Sequence, residues 1–271
     1  MKMKASLIIS VYKNTPFLKG VLDSLKYQSE KDFEVIISED GRDANMKDFI
    51  DNYPFEQPYQ HIRQDDLGWR KNRSLNNAIK AAKSDWFIFI DGDCILHQRF
   101  IEMHLRFAKD NIVLAGKRVK LDKETSNLIL EKKLNIDRIQ HQLKQKLIFG
   151  KGQIGFLEEG IFISPKSYLF FIPKLRKNNK LVGCNMSFSK KAIYAINGFD
   201  EDYTLPAFGE DRDLSWRFTE AEYQHFSLRN IAVVYHLDHP AGWINQDENL
   251  TKYREKRNRN EFVCKNGLLK L

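Results

Sequence analysis

Hydrophobic and polar positions change their period along this chain in an orderly way. From Ala5 to Tyr12 the residues are mostly apolar and β-branched at the centre, the pattern of a buried strand. Asn14-Thr15-Pro16 then supplies a helix cap with proline in the first turn, and Phe17, Leu18, Val21, Leu22 and Leu25 follow at helical spacing. Phe33 to Ser38 returns to a strand pattern and ends in Glu39-Asp40-Gly41. Strand, helix, strand in quick succession predicts a βαβ unit and a parallel sheet. Asp43 to Asn52 predicts a short helix, Pro54 to Pro58 a loop, and Leu75, Ala78, Ile79 and Ala82 a further helix. That helix leads into Trp86-Phe-Ile-Phe-Ile-Asp-Gly-Asp-Cys94, whose apolar half is long enough for a buried parallel strand and stops abruptly at Asp91.

Beyond this point the pattern predicts a helix over His97–Ala108, one strand over Ile112–Val119, and an amphipathic helix or helical pair from Asp122 to about Phe149, carried by Leu130, Leu134, Leu143 and Leu147. Gly150 to Lys180 has no clear period. Its glycines (Gly150, Gly152, Gly155, Gly160), aromatics (Tyr168, Phe170, Phe171) and basic run from Lys174 read as a lid or acceptor-side segment. Three polar blocks follow: Val182 to Lys190, Asn197-Gly-Phe-Asp-Glu201, and Gly209-Glu-Asp211 ahead of a helical run through Leu214, Phe218 and Ala221. A last strand, Ile231 to His236, ends in His236-Leu-Asp-His239.

Composition narrows the class. The 271 residues can bury a large core as an α/β unit with appendages. No apolar run approaches the roughly 20 residues that cross a bilayer, and the first residues lack the apolar centre of a signal peptide. Cys94, Cys184 and Cys264 are widely spaced and odd in number, which argues against a disulfide framework or zinc cluster and fits a reducing cytoplasm. The formal charge of +8 favours anionic partners: nucleotides, nucleic acid or anionic lipid. Lys252, Arg254, Lys256, Arg257 and Arg259 cluster near the C-terminus, as a solvated helix or as a patch for anionic lipid.

Candidate chemistry sits where strands end. Asp91 and Asp93, one residue apart, can share a face at the carboxyl end of a strand, where α/β sheets collect ligands. Gly92 lets the chain turn and a ligand approach. Such oxygens suit Mg²⁺ or Mn²⁺ with positions left for phosphates, although a simple polar turn has the same sequence. Arg70, Lys71 and Arg73 open a helix against its dipole, either as surface charge or to meet a phosphate. Glu210-Asp211 fits a helix cap or a general base, and His236 a carbonyl donor or a third metal ligand.

The order of these parts resembles the family 2 glycosyltransferases of the GT-A fold, in the branch with a galactosyltransferase-type C-terminal module. The features are Ser10-Val-Tyr-Lys-Asn14, Glu39-Asp-Gly41, Asp91-Gly-Asp93, Gly183-Cys-Asn-Met-Ser187, Asn197-Gly-Phe-Asp200, Gly209-Glu-Asp211 and His236, spread over roughly residues 5–240. The resemblance implies a Rossmann-like α/β fold with a mostly parallel sheet flanked by helices, a helical insertion and a C-terminal tail. It implies one domain over 1–250, with a nucleotide-binding half (1–120) and an acceptor half (121–250), and a basic tail over 251–271. By resemblance, Ser10, Val11 and Tyr12 line the base pocket and Asp40 contacts the base. Arg73 lies near the nucleotide, Asp91 and Gly92 near ribose or a metal water, and Asn185 and Glu210 at the sugar. Asp93 and His236 hold the metal, with Asp91 and His239 as alternates. Asp211 is the catalytic base, kept ionised by Arg212 or Arg217.

The implied reaction is Mn²⁺- or Mg²⁺-dependent, inverting transfer of a hexose or N-acetylhexosamine from a UDP-sugar to a saccharide or lipid-linked saccharide. The implied setting is envelope or capsular polysaccharide or lipopolysaccharide synthesis in the cytoplasm, with peripheral contact at an anionic inner membrane face and no nucleic-acid partner. Two features depart from the pattern: Glu39 stands where many relatives carry Asp, and His239 is a second late histidine. A haloacid-dehalogenase-like phosphatase would carry its aspartates near the N-terminus. A nucleotidyltransferase would have a Gly-rich loop after the first strand. A non-catalytic basic binding protein would leave the carboxylates at three strand exits unexplained.

Overall fold

The computed structural model describes residues 3–149, 154–175, 180–206, 210–240 and 245–271. Its centre is β1 (Ala5–Val11), β2 (Phe33–Glu39) and β4 (Trp86–Asp91), the stretches with the longest apolar runs. Nearly every side chain in them is buried, as a strand covered by helices on both faces requires. Between them lie α1 (Thr15–Leu25), α2 (Ala44–Asp51), β3 (Tyr59–Arg63) and α3 (Lys71–Ala81). The Asn14 side chain caps α1 by accepting from the Phe17 amide at 3.1 Å, and Leu18, Val21, Leu22 and Leu25 turn inward. Asp43 caps α2 in the same way, through the Met46 amide.

The chain then forms β5 (Cys94–Leu96), α4 (Phe100–Arg106), β6 (Ile112–Ala115), β7 (Lys117–Lys120), α5 (Lys123–Leu130), α6 (Ile136–Phe149) and α7 (Phe171–Leu175). It closes with β8 (Met186–Ser189), α8 (Lys190–Ala195), α9 (Glu210–Glu220), β9 (Gln224–Ser227), β10 (Val233–His236) and α10 (Asp247–Asn258). The main sheet has seven strands in the order β3-β2-β1-β4-β8-β6-β9, and a smaller sheet runs β5-β10-β7. In the main sheet only β8 runs against its neighbours. Ser10 of β1 pairs in register with Ser38 of β2 and Asp91 of β4, so the carboxyl ends of the three central strands lie level.

The stretch expected as one strand over Ile112–Val119 is two, and they belong to different sheets. Gly116 makes the break: a Cβ there would lie 2.1 Å from the Asn185 side chain. Asn185 is fully buried, donates to the carbonyls of Lys117 (2.7 Å) and Ala232 (2.9 Å), and meets His104 Nε2 through Oδ1 (3.1 Å). It clips the two sheets together. The helix expected over His97–Ala108 is shorter, Phe100–Arg106, and the helical pair after Asp122 is α5 and α6. Gly150, Gly152 and residues 176–179 of the basic run lie outside the described residues.

The C-terminal segment is not an appendage. Lys256 is buried against Asp200 and Asp202, at 2.5 Å from each, and Lys252 donates to the Asp202 carbonyl. Past α10 the chain folds back so that Cys264 and Leu268 join the core. Asn197, in the left-handed region at φ 60°, fastens it: its amide donates to the carbonyls of Cys264 (2.7 Å) and Leu269 (2.9 Å) and its oxygen accepts from the Leu269 amide. Among the described residues no helix is long and apolar enough to cross a membrane.

Candidate active site

A cleft of about 620 Å³ opens over the level ends of β1, β2 and β4. Ser10, Val11 and Tyr12 form one wall, Asp40 and Trp69 another, and Asp91, Gly92 and Asp93 the floor. Gly92 is packed so tightly under the β1 exit that a Cβ would lie 2.8 Å from Val11 Cγ1, while its amide donates to the Ser10 carbonyl. Tyr12 is half exposed, and its hydroxyl and the Lys13 ammonium both reach Asp66, drawing the loop before α3 over the cleft.

Asp40 is nearly buried, and its two oxygens accept from Gln64 Nε2 and the Arg70 amide, each at 2.7 Å. A carboxylate has about four acceptor positions, so it can hold this loop and still receive a ligand N–H. Glu39, the departure noted in the sequence, does not face the cleft. It is buried, accepts from the Asp43 amide at 2.7 Å and pairs with His61 Nε2 at 2.7 Å.

Asp93 meets the end of the smaller sheet. Its Oδ2 lies 3.3 Å from His236 Nε2 and 3.0 Å from His239 Nε2, and the Leu237 amide donates to its carbonyl. One ligand atom from each of Asp93, His236 and His239 falls within 4.8 Å of the others. Both histidines therefore converge on Asp93, where the sequence left either one open. Burial disfavours the charge on Asp93, but the hydrogen bond from His239 and the field of His236 hold its carboxyl below the ordinary range. Burial lowers His236, whereas the hydrogen bond to Asp93 raises the more exposed His239. One carboxylate oxygen and two imidazole nitrogens at this spacing can hold a divalent cation and leave positions for oxygens of a ligand.

Asp91 is occupied differently. Lys71 Nζ bridges Asp91 Oδ1 and Glu210 Oε1, at 2.7 Å from each. Burial works against the Lys71 charge, but the two carboxylates outweigh it and raise the ammonium. Burial likewise pushes Glu210 up against the opposing pull of Lys71, and its Oε2 has no hydrogen-bond partner among the described residues. Gly183 makes room, since a Cβ there would lie 2.3 Å from Glu210 Oε1.

Three sequence expectations find other places. Arg73 is exposed in a separate groove with Arg70 and Lys80, while Lys71 enters the cleft. Residues two apart on a helix do not share a face, so only one of the pair can point there. Asn185, expected at the sugar, spends both amide hydrogens and its oxygen inside the protein and does not reach the cleft. Arg217 pairs with Asp213 at 2.6 Å, not with Asp211. Glu210 bonds to Lys71, which lines the cleft, while Asp211, one residue on, lines a second groove. Gly209 lies outside the described residues. Trp69 and Phe17 also line the cleft without having been expected there, as does Asn14, expected as a helix cap and part of the first-strand motif; the aromatic of Leu67-Gly-Trp69 just before α3 was the available clue.

Residues 6–163 match the family described as glycosyl transferase family 2. The chain belongs to that family. Residues 172–240 match a second pattern, described as the N-terminal domain of galactosyltransferase. Among curated relatives, the chain is 26% identical over 250 residues to chondroitin synthase of Escherichia coli, covering 87% of this chain and 35% of that protein. It is 25% identical to chondroitin synthase of Pasteurella multocida (strain Pm70), over 87% of this chain and 25% of the relative. The chain thus spans only about a third and a quarter of their lengths.

Two solved glycosyltransferases share the fold. The mannosyltransferase PcManGT from Pyrobaculum calidifontis, in complex with GDP-Man and Mn²⁺, superposes with a TM-score of 0.60 at 13% identity, over 97% of this chain and 68% of that one. S. aureus TarS 1-349 in complex with UDP-GlcNAc gives 0.59 at 14% identity, over 92% and 64%. The α/β architecture, with its mostly parallel sheet, is that of the GT-A glycosyltransferases. The chain is a family 2 glycosyltransferase, and neither a phosphatase nor a non-catalytic binding protein is favoured.

Proposed function

We propose that this chain is a metal-dependent, inverting transferase that moves a hexose or N-acetylhexosamine from a UDP-sugar to a growing saccharide. The observation that carries this reading is the convergence of Asp93, His236 and His239 at the floor of a cleft walled by Ser10, Val11 and Asp40. Mn²⁺ or Mg²⁺ is the ion proposed for these three residues, in keeping with the Mn²⁺ of the mannosyltransferase complex. Bound there, it would supply positive charge for the leaving diphosphate. Tyr12 and Asp40 would hold the nucleotide base, and Lys71 would place a second positive charge beside Asp91.

Asp211 would act as base on the acceptor side. An acceptor hydroxyl oxygen bonds to the anomeric carbon and gives its proton to Asp211. The anomeric carbon–oxygen bond breaks, and its electron pair leaves with the diphosphate. Attack from the face opposite the leaving group inverts the configuration. The UDP-GlcNAc complex favours a UDP-linked donor, and the chondroitin synthase relatives a polysaccharide product.

Thermal stabilisation by UDP, GDP, dTDP and CMP, each with and without Mn²⁺, tests the reading on wild type and Asp93→Ala. Stabilisation selective for UDP with Mn²⁺ and lost in the variant is the expected result. Equal response to all four, or none, would overturn it.

A further inference from the structure

Next along the chain from Glu210, which bonds Lys71 of the cleft, Asp211 stands on the wall of a larger groove of about 810 Å³. Four cations also line it, Lys117, Lys180, Arg212 and Arg257, against two carboxylates, Asp211 and Glu220. Glu220 is engaged, since it accepts from Trp216 Nε1 at 3.0 Å. The cations are held in place. Lys117 is half-buried at the first position of β7, and its ammonium donates to the Lys180 carbonyl at 2.9 Å. Arg257 lies across two rings, 5.9 Å from that of Trp216 and 5.5 Å from that of Tyr253. Among the described residues neither Lys117 nor Arg257 has a carboxylate within ion-pair distance. Burial and the nearby Arg229 depress the Lys117 ammonium, so a guest anion would relieve an existing cost.

We propose that this groove binds the acceptor, and that the acceptor is an acidic saccharide with a carboxylate or phosphate placed between Lys117 and Arg257. The inference rests on the transferase reading above, with Asp211 as base. A neutral sugar would need the Trp216 and Tyr253 rings and hydroxyl partners, but would leave two fixed cations without use. An acidic sugar uses all of these groups. A ring or linkage can lie along the aromatic edge while its anion takes charge-assisted hydrogen bonds from both cations, and a hydroxyl faces Asp211.

The test is equilibrium binding to the full chain, alone and with UDP and Mn²⁺, at low and moderate salt. The probes are a hyaluronan tetrasaccharide, the same molecule with its carboxyl groups reduced to alcohols, a glycerol phosphate tetramer, and neutral chitotetraose. A charged probe is expected to bind at least about tenfold more tightly than either neutral one, the scale of a charge-assisted hydrogen bond, and to weaken with salt. The tetramer and the tetrasaccharide separate phosphate from uronate as the anion source. Arg257→Gln, on an exposed helix face, and Lys117→Gln are each expected to erase most of the difference, with melting curves checking that both fold. Equal binding of charged and neutral probes, no binding of any probe, or a preference that survives both variants would overturn the proposal. Saccharide binding without any nucleotide response would keep the groove and reject the UDP-sugar reading, whereas UDP and Mn²⁺ binding without charge preference would do the reverse.

Discussion

Lys71 and Asp93 divide the charge of the cleft between them. Asp93, with two imidazoles on one oxygen, is the group whose loss should abolish ion binding, since three ligand atoms become two nitrogens. Asp93→Ala is therefore expected to remove Mn²⁺-dependent UDP binding without a large change in melting temperature, measured by calorimetry with and without the ion. His236→Ala and His239→Ala should each weaken Mn²⁺ affinity. His236 should matter more, because it is fixed on β10 and less exposed than His239, which lies in a loop. Lys71→Met would leave Asp91 and Glu210 facing each other without their shared cation. Removing one member of a fully buried set costs about 3–5 kcal/mol, and this set is partly exposed, so the variant should show a moderately lower denaturation midpoint as well as lost turnover.

At the scale of elements, the break at Gly116 and the Asn185–His104 clip decide how the two sheets meet. Gly116→Ala forces a methyl group into the Asn185 amide, and overpacking of this kind costs about 1–3 kcal/mol, readable by urea titration. His104 joins the clip as a neutral ring: Nε2 donates to Asn185 Oδ1, which leaves Nδ1 to accept from the Ser187 hydroxyl at 2.8 Å. Burial pushes His104 down from 6.5 to about 3. The unfolded chain then binds more protons than the folded one between these values. Stability contributed by the neutral ring is present above pH 6.5 and is lost as pH falls toward 3, by up to about 1.4 kcal/mol per pH unit. Urea midpoints between pH 7 and pH 4 should fall along that slope, and His104→Gln should flatten it.

The same elements show what was legible. β1, β2 and β4 were plain because both their faces are buried, so nearly every position is apolar or small, with Glu34, Glu39 and Asp91 the exceptions. The edge strands β3 and β9 were not seen: each pairs on one side only and is half exposed, so neither a run nor an alternation marks it. The switch between β6 and β7 hid inside an unbroken β-prone stretch, since Gly116 declares itself only against Asn185, which is distant in sequence. Asp91, Asp93, His236 and His239 stood out because they follow strands, at the ends where α/β sheets collect ligands. Lys71 and Arg73 could not be separated without knowing which side of α3 faces the cleft. Asn185 misled for a similar cause, as a polar residue in a loop motif reads as ligand-facing until its partners are visible.

For the whole molecule, the returning C-terminal segment is a structural part of the folded body. Asn197 makes three hydrogen bonds to it while holding a left-handed backbone. At about 1 kcal/mol per bond, Asn197→Ala should lower stability by about 3 kcal/mol and expose Cys264 to thiol reagents in the otherwise native protein. Asn197→Gly, which tolerates the backbone angle, should recover only the strain component.

The convergence of Asp93 with the late histidines also has a temporal side. Asp93 and His239 lie 146 positions apart in sequence, and contacts that close so long a loop form late. His239 must be synthesised and docked before the three side chains can converge. A chain cut short before His236 can assemble β1, β2 and β4 and still lack this cluster, so the cluster distinguishes molecules folded through β10 from fragments that stop short of it.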